Sequence, residues 1–292
     1  MRSLSLRRFV AALTVGACAA GAFAGLDAAP AGAATYPVAG SLTEGIALAL
    51  LHPDQAPPGA NVPGCRPSAA HPTPVVLVNG TFANQYDNWA GLAPTLANNG
   101  YCVFTFDYGK SFLPFVYQLG PMDQSVNQVS AFVDHVLATT GAGQVDLVGH
   151  SQGGLMAEYY TKRFGRSKVD DLVALSPTTH GTTLVGLATL AKLFGITNLV
   201  DLACQSCIDQ TPGSDVVRYV EQGGVTVPGV SYTVIETWYE FVVTPAPEAA
   251  FIREPGVKNL IVQNSNLFDL SDHAGLAYST TAWRLTMKAL DA

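Results

Sequence analysis

Charged side chains are scarce in this sequence: they make up 13% of its 292 residues, against 48% apolar residues. Basic residues are the scarcer sign, with 15 lysines and arginines against 22 acidic residues and a formal net charge of -7. The charge therefore gives no reason to expect a nucleic-acid partner. A chain of this length and apolar content is long enough for one large globular domain with a substantial core.

Uninterrupted hydrophobic runs are also missing. Three arginines open the chain, and the apolar stretch after them is broken by glycines and ends at Asp27, which disfavours a permanent membrane span. Small residues at 31–33 then suit a signal peptidase, so residues 1–34 are predicted to be a signal peptide and the protein to be secreted. The alternative is lipidation of Cys18, which follows a lipobox-like Val-Gly-Ala and would anchor the protein at the cell envelope.

Cysteine is limited to five residues, and four remain once Cys18 is set aside. An even number in an exported chain favours disulfides over free thiols. Three pairings are open, and the preferred one joins Cys65 to Cys102 and Cys204 to Cys207. A metal site at the second pair would need two more ligands, which no nearby histidine or cysteine supplies, so no metal is expected.

Beyond an irregular N-terminal segment, predicted over residues 35–72, short β-branched runs alternate with stretches of helical periodicity. Strands are predicted at 75–78, 102–106, 145–148, 172–175, 232–235 and 260–262, and helices at 89–97, 124–138, 155–164 and 282–290. This alternation predicts one α/β domain over residues 73–292, with a mostly parallel sheet covered on both faces. Residues 185–230 depart from the alternation and are expected to form a cap-like insertion.

The pentapeptide Gly-His-Ser-Gln-Gly at 149–153 follows a predicted strand and opens a predicted helix. In this G-x-S-x-G context a sharp turn exposes the serine oxygen, and the glycines let neighbouring elements approach closely. Ser151 is therefore a candidate nucleophile, and the Gln152 N–H at the helix N-terminus is a candidate oxyanion donor. The alternative is an ordinary glycine-rich turn. His150 adjoins the serine and is predicted to be a packed or surface imidazole rather than its base.

Three separated segments carry a resemblance to a known family: residues 74–85, the pentapeptide at 149–153, and Ser-Asp-His-Ala-Gly at 271–275. They resemble secreted triacylglycerol lipases of actinobacteria and, more distantly, lipase B of Candida antarctica, and residues 151–182 are similar to both. The resemblance covers most of residues 65–290. It implies an α/β-hydrolase fold, with a mostly parallel central sheet flanked by helices and catalytic residues in the order serine, acid, histidine.

The resemblance identifies His273 as the general base, which takes the proton of Ser151 and returns it to the leaving alcohol. This histidine follows the last predicted strand, where the fold delivers its base. The other candidate histidines are predicted to be structural: His52, His71, His150 and His180.

The acid of the triad departs from the family pattern. These lipases usually have Tyr-Asp-Glu-Val-Val-Thr-Pro, whereas residues 239–245 read Tyr-Glu-Phe-Val-Val-Thr-Pro, so Glu240 stands at the position of the catalytic aspartate. A glutamate can orient the imidazole equally, although its extra methylene must be absorbed locally. Glu236, nearer the strand end, is the competing candidate, and Asp269 and Asp272 are less favoured.

A second oxyanion donor is needed from the loop after the first central strand. The resemblance assigns it to the N–H of Thr81, whose hydroxyl is a candidate third donor; the alternative is a loop threonine that only satisfies backbone groups. Asn79 stands where the family usually has histidine, so the packing of this loop is expected to differ.

The combined prediction is a secreted serine carboxylic ester hydrolase, a triacylglycerol lipase that works through an acyl-enzyme intermediate. It is expected to be a monomer that needs no cofactor and contacts a lipid interface transiently. Apolar segments at 112–116 and 184–199 are candidates for acyl-chain binding, with plain core or cap packing as the alternative. The rival functions are a short-chain esterase or polyesterase and, from another class, a non-catalytic binding protein with this fold.

Overall fold

The structure is a computed structural model that describes residues 35–110, 116–195 and 204–292. The predicted signal peptide at 1–34, including Cys18, lies outside the described residues. So do parts of the two segments predicted to bind acyl chains, namely 112–115 and 196–199.

A parallel sheet of six strands forms the centre of the fold, in the order β2-β1-β3-β4-β5-β6. The strands are β1 (Val75–Val78), β2 (Val103–Thr105), β3 (Val145–His150), β4 (Val169–Leu175), β5 (Ser231–Glu236) and β6 (Lys258–Ile261). Every residue of the first three strands is buried, as expected for apolar strands covered on both faces. The predicted α/β architecture is confirmed.

Ten α-helices lie in the described parts of the chain. They are α1 (Leu42–Leu51), α2 (Gln85–Trp89), α3 (Leu92–Asn98), α4 (Met122–Thr140), α5 (Gln152–Tyr160), α6 (Leu184–Leu193), α7 (Gln205–Asp209), α8 (Asp215–Glu221), α9 (Val262–Ser265) and α10 (Thr280–Leu290). A π-helical turn at Thr161–Gly165 extends α5, and a 3₁₀ turn at Gly275–Tyr278 precedes α10. None of these helices is long and apolar enough to cross a membrane.

Helix α1 corrects the prediction that residues 35–72 are irregular. Its N-cap is Ser41, whose hydroxyl accepts a hydrogen bond from the Glu44 N–H. Serine followed three residues later by glutamate is a typical helix start, so the sequence did contain the signal.

Alternate residues of the strands point into two apolar layers. Val76 and Val78 pack with α4 and α5 on one face of the sheet, and Val75 and Leu77 pack with α3 and α10 on the other. The valines of α8, in the second half of the predicted insertion at 185–230, also lie in the first layer. So do buried residues of α6 in the first half, and both halves of the predicted insertion therefore contribute to the core of the domain.

Both disulfides of the preferred pairing are present, joining Cys65 to Cys102 and Cys204 to Cys207. The first ties the N-terminal segment to the residue before β2. The second closes the start of α7. Two disulfides are compatible with an extracellular protein.

Candidate active site

Ser151 lies in a sharp turn between β3 and α5, with φ 57° and ψ -124°, in a region that non-glycine residues rarely adopt. Its N–H donates to the carbonyl oxygen of Leu175 at 2.8 Å, which fixes the strained backbone. A Cβ on Gly153 would lie 2.0 Å from the Val78 carbonyl oxygen, and one on Gly149 would lie 2.4 Å from that of Gly153. Both flanking positions therefore need glycine for the turn to close.

His273 lies on the loop before the 3₁₀ turn, and its ring is fully buried against the serine. Its Nε2 atom is 3.0 Å from the Ser151 Oγ, and its Nδ1 atom is 2.7 Å from the Glu240 Oε2. The structure thus brings together three side chains that are far apart in sequence, at the carboxyl end of the parallel strands.

Glu240 is anchored by hydrogen bonds to both of its oxygens. While Oε2 accepts from His273, Oε1 accepts from the backbone N–H groups of Val242 at 2.6 Å and Val243 at 2.9 Å. Burial alone would raise the pKa of Glu240, but the charge and hydrogen bond of His273, with the two N–H groups, lower it overall. The loop after β5 therefore accommodates the longer side chain and keeps the carboxylate ionised.

Glu236, the competing acid, ends β5 and is equally buried. Its Oε2 accepts from the Ser176 hydroxyl at 3.1 Å and from the Thr237 N–H at 2.9 Å. Burial and the charge of Glu240 raise the pKa of Glu236. Within the described residues, Glu236 makes no hydrogen bond to His273.

The two less favoured acids serve local turns. Asp269 accepts from the backbone of Ser271 at 3.0 Å and from the hydroxyl of Ser279 at 2.6 Å. Asp272 accepts from the Gly275 N–H at 2.8 Å, which caps the turn that carries His273. Neither carboxylate bonds to that imidazole in the described chain.

The two predicted oxyanion donors lie on either side of the serine. Gln152 is the first residue of α5 and Thr81 follows β1, and no described residue accepts a hydrogen bond from either backbone N–H. Their side chains are linked, because the Thr81 hydroxyl donates to the Gln152 Oε1 at 2.7 Å. This hydroxyl therefore joins the two loops through a side-chain contact and not through a backbone group.

Gln210, which no motif in the sequence indicated, supports both loops. Its Nε2 atom donates to the Thr81 Oγ1 at 3.1 Å and to the Gln152 Oε1 at 3.2 Å. Gln210 ends α7 inside the predicted insertion, 129 positions from Thr81. No spacing or motif in the sequence connects the two residues.

Asn79, at the position where the resemblance leads us to expect a histidine, makes hydrogen bonds through both ends of its amide group. Its Oδ1 accepts from the Trp89 Nε1 at 2.7 Å, and its Nδ2 donates to the Phe106 carbonyl oxygen at 3.0 Å and to the Asp107 Oδ1 at 3.1 Å. The amide thus ties the end of β1 to α2 and to the loop after β2.

A mostly apolar cavity opens above Ser151. Its apolar lining includes Leu42, Ala83, Leu190, Phe194, Ala274 and Ala277. Leu190 and Phe194 belong to the segment 184–199, one of the two predicted to bind acyl chains, and Leu42 belongs to the unpredicted α1.

The carboxylates of Asp146, Asp170 and Asp171 are close enough together to hold a metal ion. They lie near the start of β3 and β4, at the opposite end of the strands from Ser151. Acidic groups without a bound ion are common, and this cluster has no contact with the serine, histidine and glutamate described above.

Comparison with known proteins agrees with this architecture. Residues 73–205 match the family described as the alpha/beta hydrolase fold. A crystal structure from a study of carboxylesterases of Nitrososphaera gargenis covers 76% of this chain and 90% of its own, with a TM-score of 0.51 at 13% identity. The monoacylglycerol lipase of Paleococcus ferrophilus covers 75% and 95%, with a TM-score of 0.50 at 19% identity. The chain has the α/β-hydrolase fold.

Relatives in sequence are more nearly identical to this chain than the solved structures are, but the match covers less of it. Over 119 residues the chain is 40% identical to a triacylglycerol lipase of Pseudarthrobacter phenanthrenivorans and, equally, to one of Burkholderia plantarii. The matched segment is 39% of this chain, and 34% and 30% of those relatives. The match thus spans about a third of the length of the relatives.

Proposed function

We propose that this protein is a serine carboxylic ester hydrolase with Ser151 as nucleophile, His273 as general base and Glu240 as the acid that orients it. The observation that carries the proposal is the buried hydrogen-bonded series from Ser151 Oγ to His273 Nε2, at 3.0 Å, and from His273 Nδ1 to Glu240 Oε2, at 2.7 Å. This geometry is that of a nucleophile activated by a base which a carboxylate holds in one tautomer.

The reaction then runs in two halves. Ser151 Oγ attacks the ester carbonyl carbon while its proton passes to His273 Nε2, and Glu240 stabilises the resulting imidazolium. The N–H groups of Thr81 and Gln152 hold the oxyanion of the tetrahedral intermediate. His273 returns the proton to the leaving alcohol, which leaves an acyl-enzyme, and water activated by the same imidazole releases the acid and restores Ser151.

A long-chain ester such as a triacylglycerol is the proposed substrate class. The apolar cavity above Ser151 supports this choice, as do the 40% identical relatives that are triacylglycerol lipases. The resemblance to secreted actinobacterial lipases and to lipase B of Candida antarctica remains part of the proposal, together with secretion and a monomeric state. A short-chain esterase or polyesterase is the second candidate, since an apolar lining beside Ser151 does not by itself distinguish long esters from short ones.

Transient contact with a lipid interface is part of the same proposal. Two loops at this end of the sheet expose large apolar side chains: Trp238, Phe241, Leu267, Phe268 and Leu270. A bridge between Tyr239 and Asp272 joins the two loops beside the Glu240–His273 pair. Exposed apolar groups concentrated in this way suit contact with an apolar surface.

A serine-directed phosphonate tests the chemistry. The wild type is expected to be labelled on Ser151, and Ser151→Ala is expected to lose both the label and turnover, by about a million-fold in kcat. The matched control is Ser68→Ala, a substitution at an exposed serine, and this variant is expected to be labelled like the wild type. Absence of label on the folded wild type would favour the non-catalytic binding protein instead.

Hydrolysis rates over esters of rising acyl length then separate the two enzyme candidates. A lipase is expected to act best on long, emulsified esters, because burial of each additional CH₂ contributes about 0.8 kcal/mol of binding. Peak activity on short, water-soluble esters would contradict the lipase candidate and favour the short-chain esterase.

A further inference from the structure

Two buried polar side chains, Asn88 of α2 and His150 at the end of β3, connect parts of the site that are far apart in sequence. The Gly80 N–H, next to Thr81, donates to the Asn88 Oδ1 at 2.7 Å. The Asn88 Nδ2 lies 3.2 Å from the His150 Nδ1, and the His150 Nε2 lies 3.0 Å from the backbone oxygen of His273. We call this series the Asn88–His150 bridge.

With a neutral His150, one arrangement of protons satisfies the whole bridge. The backbone oxygen of His273 can only accept, so the His150 Nε2 must carry a proton. A neutral ring then has its lone pair on Nδ1, which accepts from the Asn88 Nδ2 and leaves the Asn88 Oδ1 free to accept from Gly80. All three hydrogen bonds therefore run in one direction, from the loop that precedes Thr81 to the loop that carries His273.

The surroundings of His150 in the bridge favour the neutral form of its ring. Burial lowers the pKa of His150 to about 3, and the neighbouring His273 contributes to the same direction. The two imidazole rings have their centroids 5.1 Å apart, so a second positive charge would oppose the imidazolium that forms on His273 during the reaction. A neutral His150 supports the His273 backbone without that cost.

The same region leaves little room for adjustment. A Cβ on Gly80 would lie 3.1 Å from both the His150 carbonyl oxygen and the Ser151 Cβ, so the loop before Thr81 packs directly on the nucleophile turn. The rings of Trp89 and His150 lie edge to face, and the Trp89 Nε1 donates to the Asn79 Oδ1. The loop that carries the oxyanion donor and the loop that carries the base thus meet through two fixed side chains.

We propose that the Asn88–His150 bridge is a positioning device: it sets the distance between the Thr81 oxyanion donor and the His273 base, and thereby aligns both with Ser151. The inference rests on the proposed function, since it assigns roles to residues around the same site. Neither Asn88 nor His150 exchanges a proton with the substrate. Misplacement of a reacting group by about 1 Å can cost roughly 100-fold in rate, so the bridge acts on kcat more than on KM.

Three substitutions of His150 test its two hydrogen bonds in the bridge separately. Glutamine can place an amide N–H where Nε2 donates to His273, whereas asparagine can place an amide oxygen where Nδ1 accepts from Asn88. Phenylalanine keeps the ring and loses both hydrogen bonds. The matched control is His71→Phe, at a histidine that stacks on Tyr101 away from the site.

The expected result is a fall in kcat of about 100-fold for His150→Phe, with KM within roughly threefold of the wild type. His150→Gln is expected to recover most of kcat, His150→Asn less, and His71→Phe to leave kcat unchanged. Equal kcat values for His150→Phe and the wild type would overturn the proposal, and so would equal losses for Phe and Gln. In either case the labelled, active wild type would leave the proposed function standing.

A measurement without turnover tests the bridge directly. Nitrogen NMR of the Ser151→Ala variant is expected to show His150 as the neutral Nε2–H tautomer, with no titration between about pH 5 and pH 9. A protonated Nδ1, or a His150 that titrates in this range, would overturn the bridge even if no substrate were known.

Discussion

Both ends of the central sheet bury carboxyl groups, but in opposite electrostatic surroundings. At the carboxyl end, Glu240 faces the His273 ring and two backbone N–H groups, and its pKa is lowered despite burial. At the amino end, Asp146 accepts from the Thr73 hydroxyl and the Asp171 N–H, with further aspartates beside it. Burial raises the pKa of Asp146 to about 7, and the charge of Asp171 adds to the increase.

The comparison shows why clustering of acids is a poor indicator of chemistry. Burial favours the neutral form of every carboxyl group, and only an opposite charge or several donors reverse that preference. The neighbouring charges that act on Asp146 are those of Asp170 and Asp171, whereas Glu240 has the ring of His273 within hydrogen-bond distance. We therefore base the proposed function on the pairing of Glu240 with His273 and not on the number of buried acidic groups.

Among the acidic groups at the two ends of the sheet, the largest effect is expected from Glu240→Gln, which removes the charge opposite His273 and keeps the shape of the side chain. We expect kcat to fall by roughly 10⁴-fold, because the amide can hold His273 in the wrong tautomer and cannot stabilise its imidazolium. Steady-state kinetics on a soluble ester measure this, with circular dichroism to confirm that the variant folds. A fall of less than tenfold would remove Glu240 from the role.

At the amino end of the sheet, substitution of a buried carboxyl group should change the stability of the protein and not its rate of turnover. The pKa of Asp146 is higher in the folded state than its ordinary value of 3.8, so its favourable contribution is complete below that value and is lost as the pH rises through about 7. Asp146→Asn removes this loss. Relative to the wild type, the variant should gain roughly 1–3 kcal/mol in the free energy of unfolding between about pH 5 and about pH 8.

Urea unfolding at the two pH values measures the gain, and kcat is expected to stay near that of the wild type. Asp134→Asn is the control, because Asp134 is an exposed carboxylate paired with Lys168 on the surface. A pH-independent difference for Asp146→Asn would show that this carboxyl group is ionised in the folded protein at neutral pH.

The sequence predicted the parts of this site that are local. The nucleophile turn follows from five consecutive residues and their strand–helix context, and five of the predicted strands overlap β1 to β5 closely enough to place it at the carboxyl end of the sheet. His273 and Glu240 needed the family resemblance, since no spacing relates them to Ser151. The backbone donors of Val242 and Val243, which hold the Glu240 carboxylate in place, are indicated by no residue pattern.

Long-range polar contacts were beyond sequence reasoning. His150 was predicted to be a packed or surface imidazole because it adjoins the serine, yet its hydrogen-bond partners lie 62 and 123 positions away. Gln210 is a similar case, since side-chain amides bond wherever the fold brings a partner. Helix α1 is different: its capping signal was present, and the many prolines and glycines that follow it obscured it.

The smallest effect is expected at Glu236, which shares the carboxyl end with Glu240 but resembles Asp146 in its electrostatics. Its raised pKa keeps the carboxyl group protonated at neutral pH, so Glu236→Gln replaces one neutral group by another and its oxygen can still accept from Ser176 and Thr237. We expect kcat to change by less than about threefold at pH 7.

At alkaline pH the two proteins should diverge. Since the folded-state pKa of Glu236 is raised, its contribution to stability is lost as the pH rises through that value, when a second negative charge forms beside Glu240. Glu236→Gln avoids this charge, so its melting temperature should decline less than that of the wild type as the pH rises from about 5 through about 8, and its kcat should decline less towards about pH 9. Parallel declines would mean that Glu236 does not ionise in this range. A loss at pH 7 as large as that of Glu240→Gln would instead transfer the orienting role to Glu236, and the carboxyl end would then hold two carboxylates that act on one imidazole.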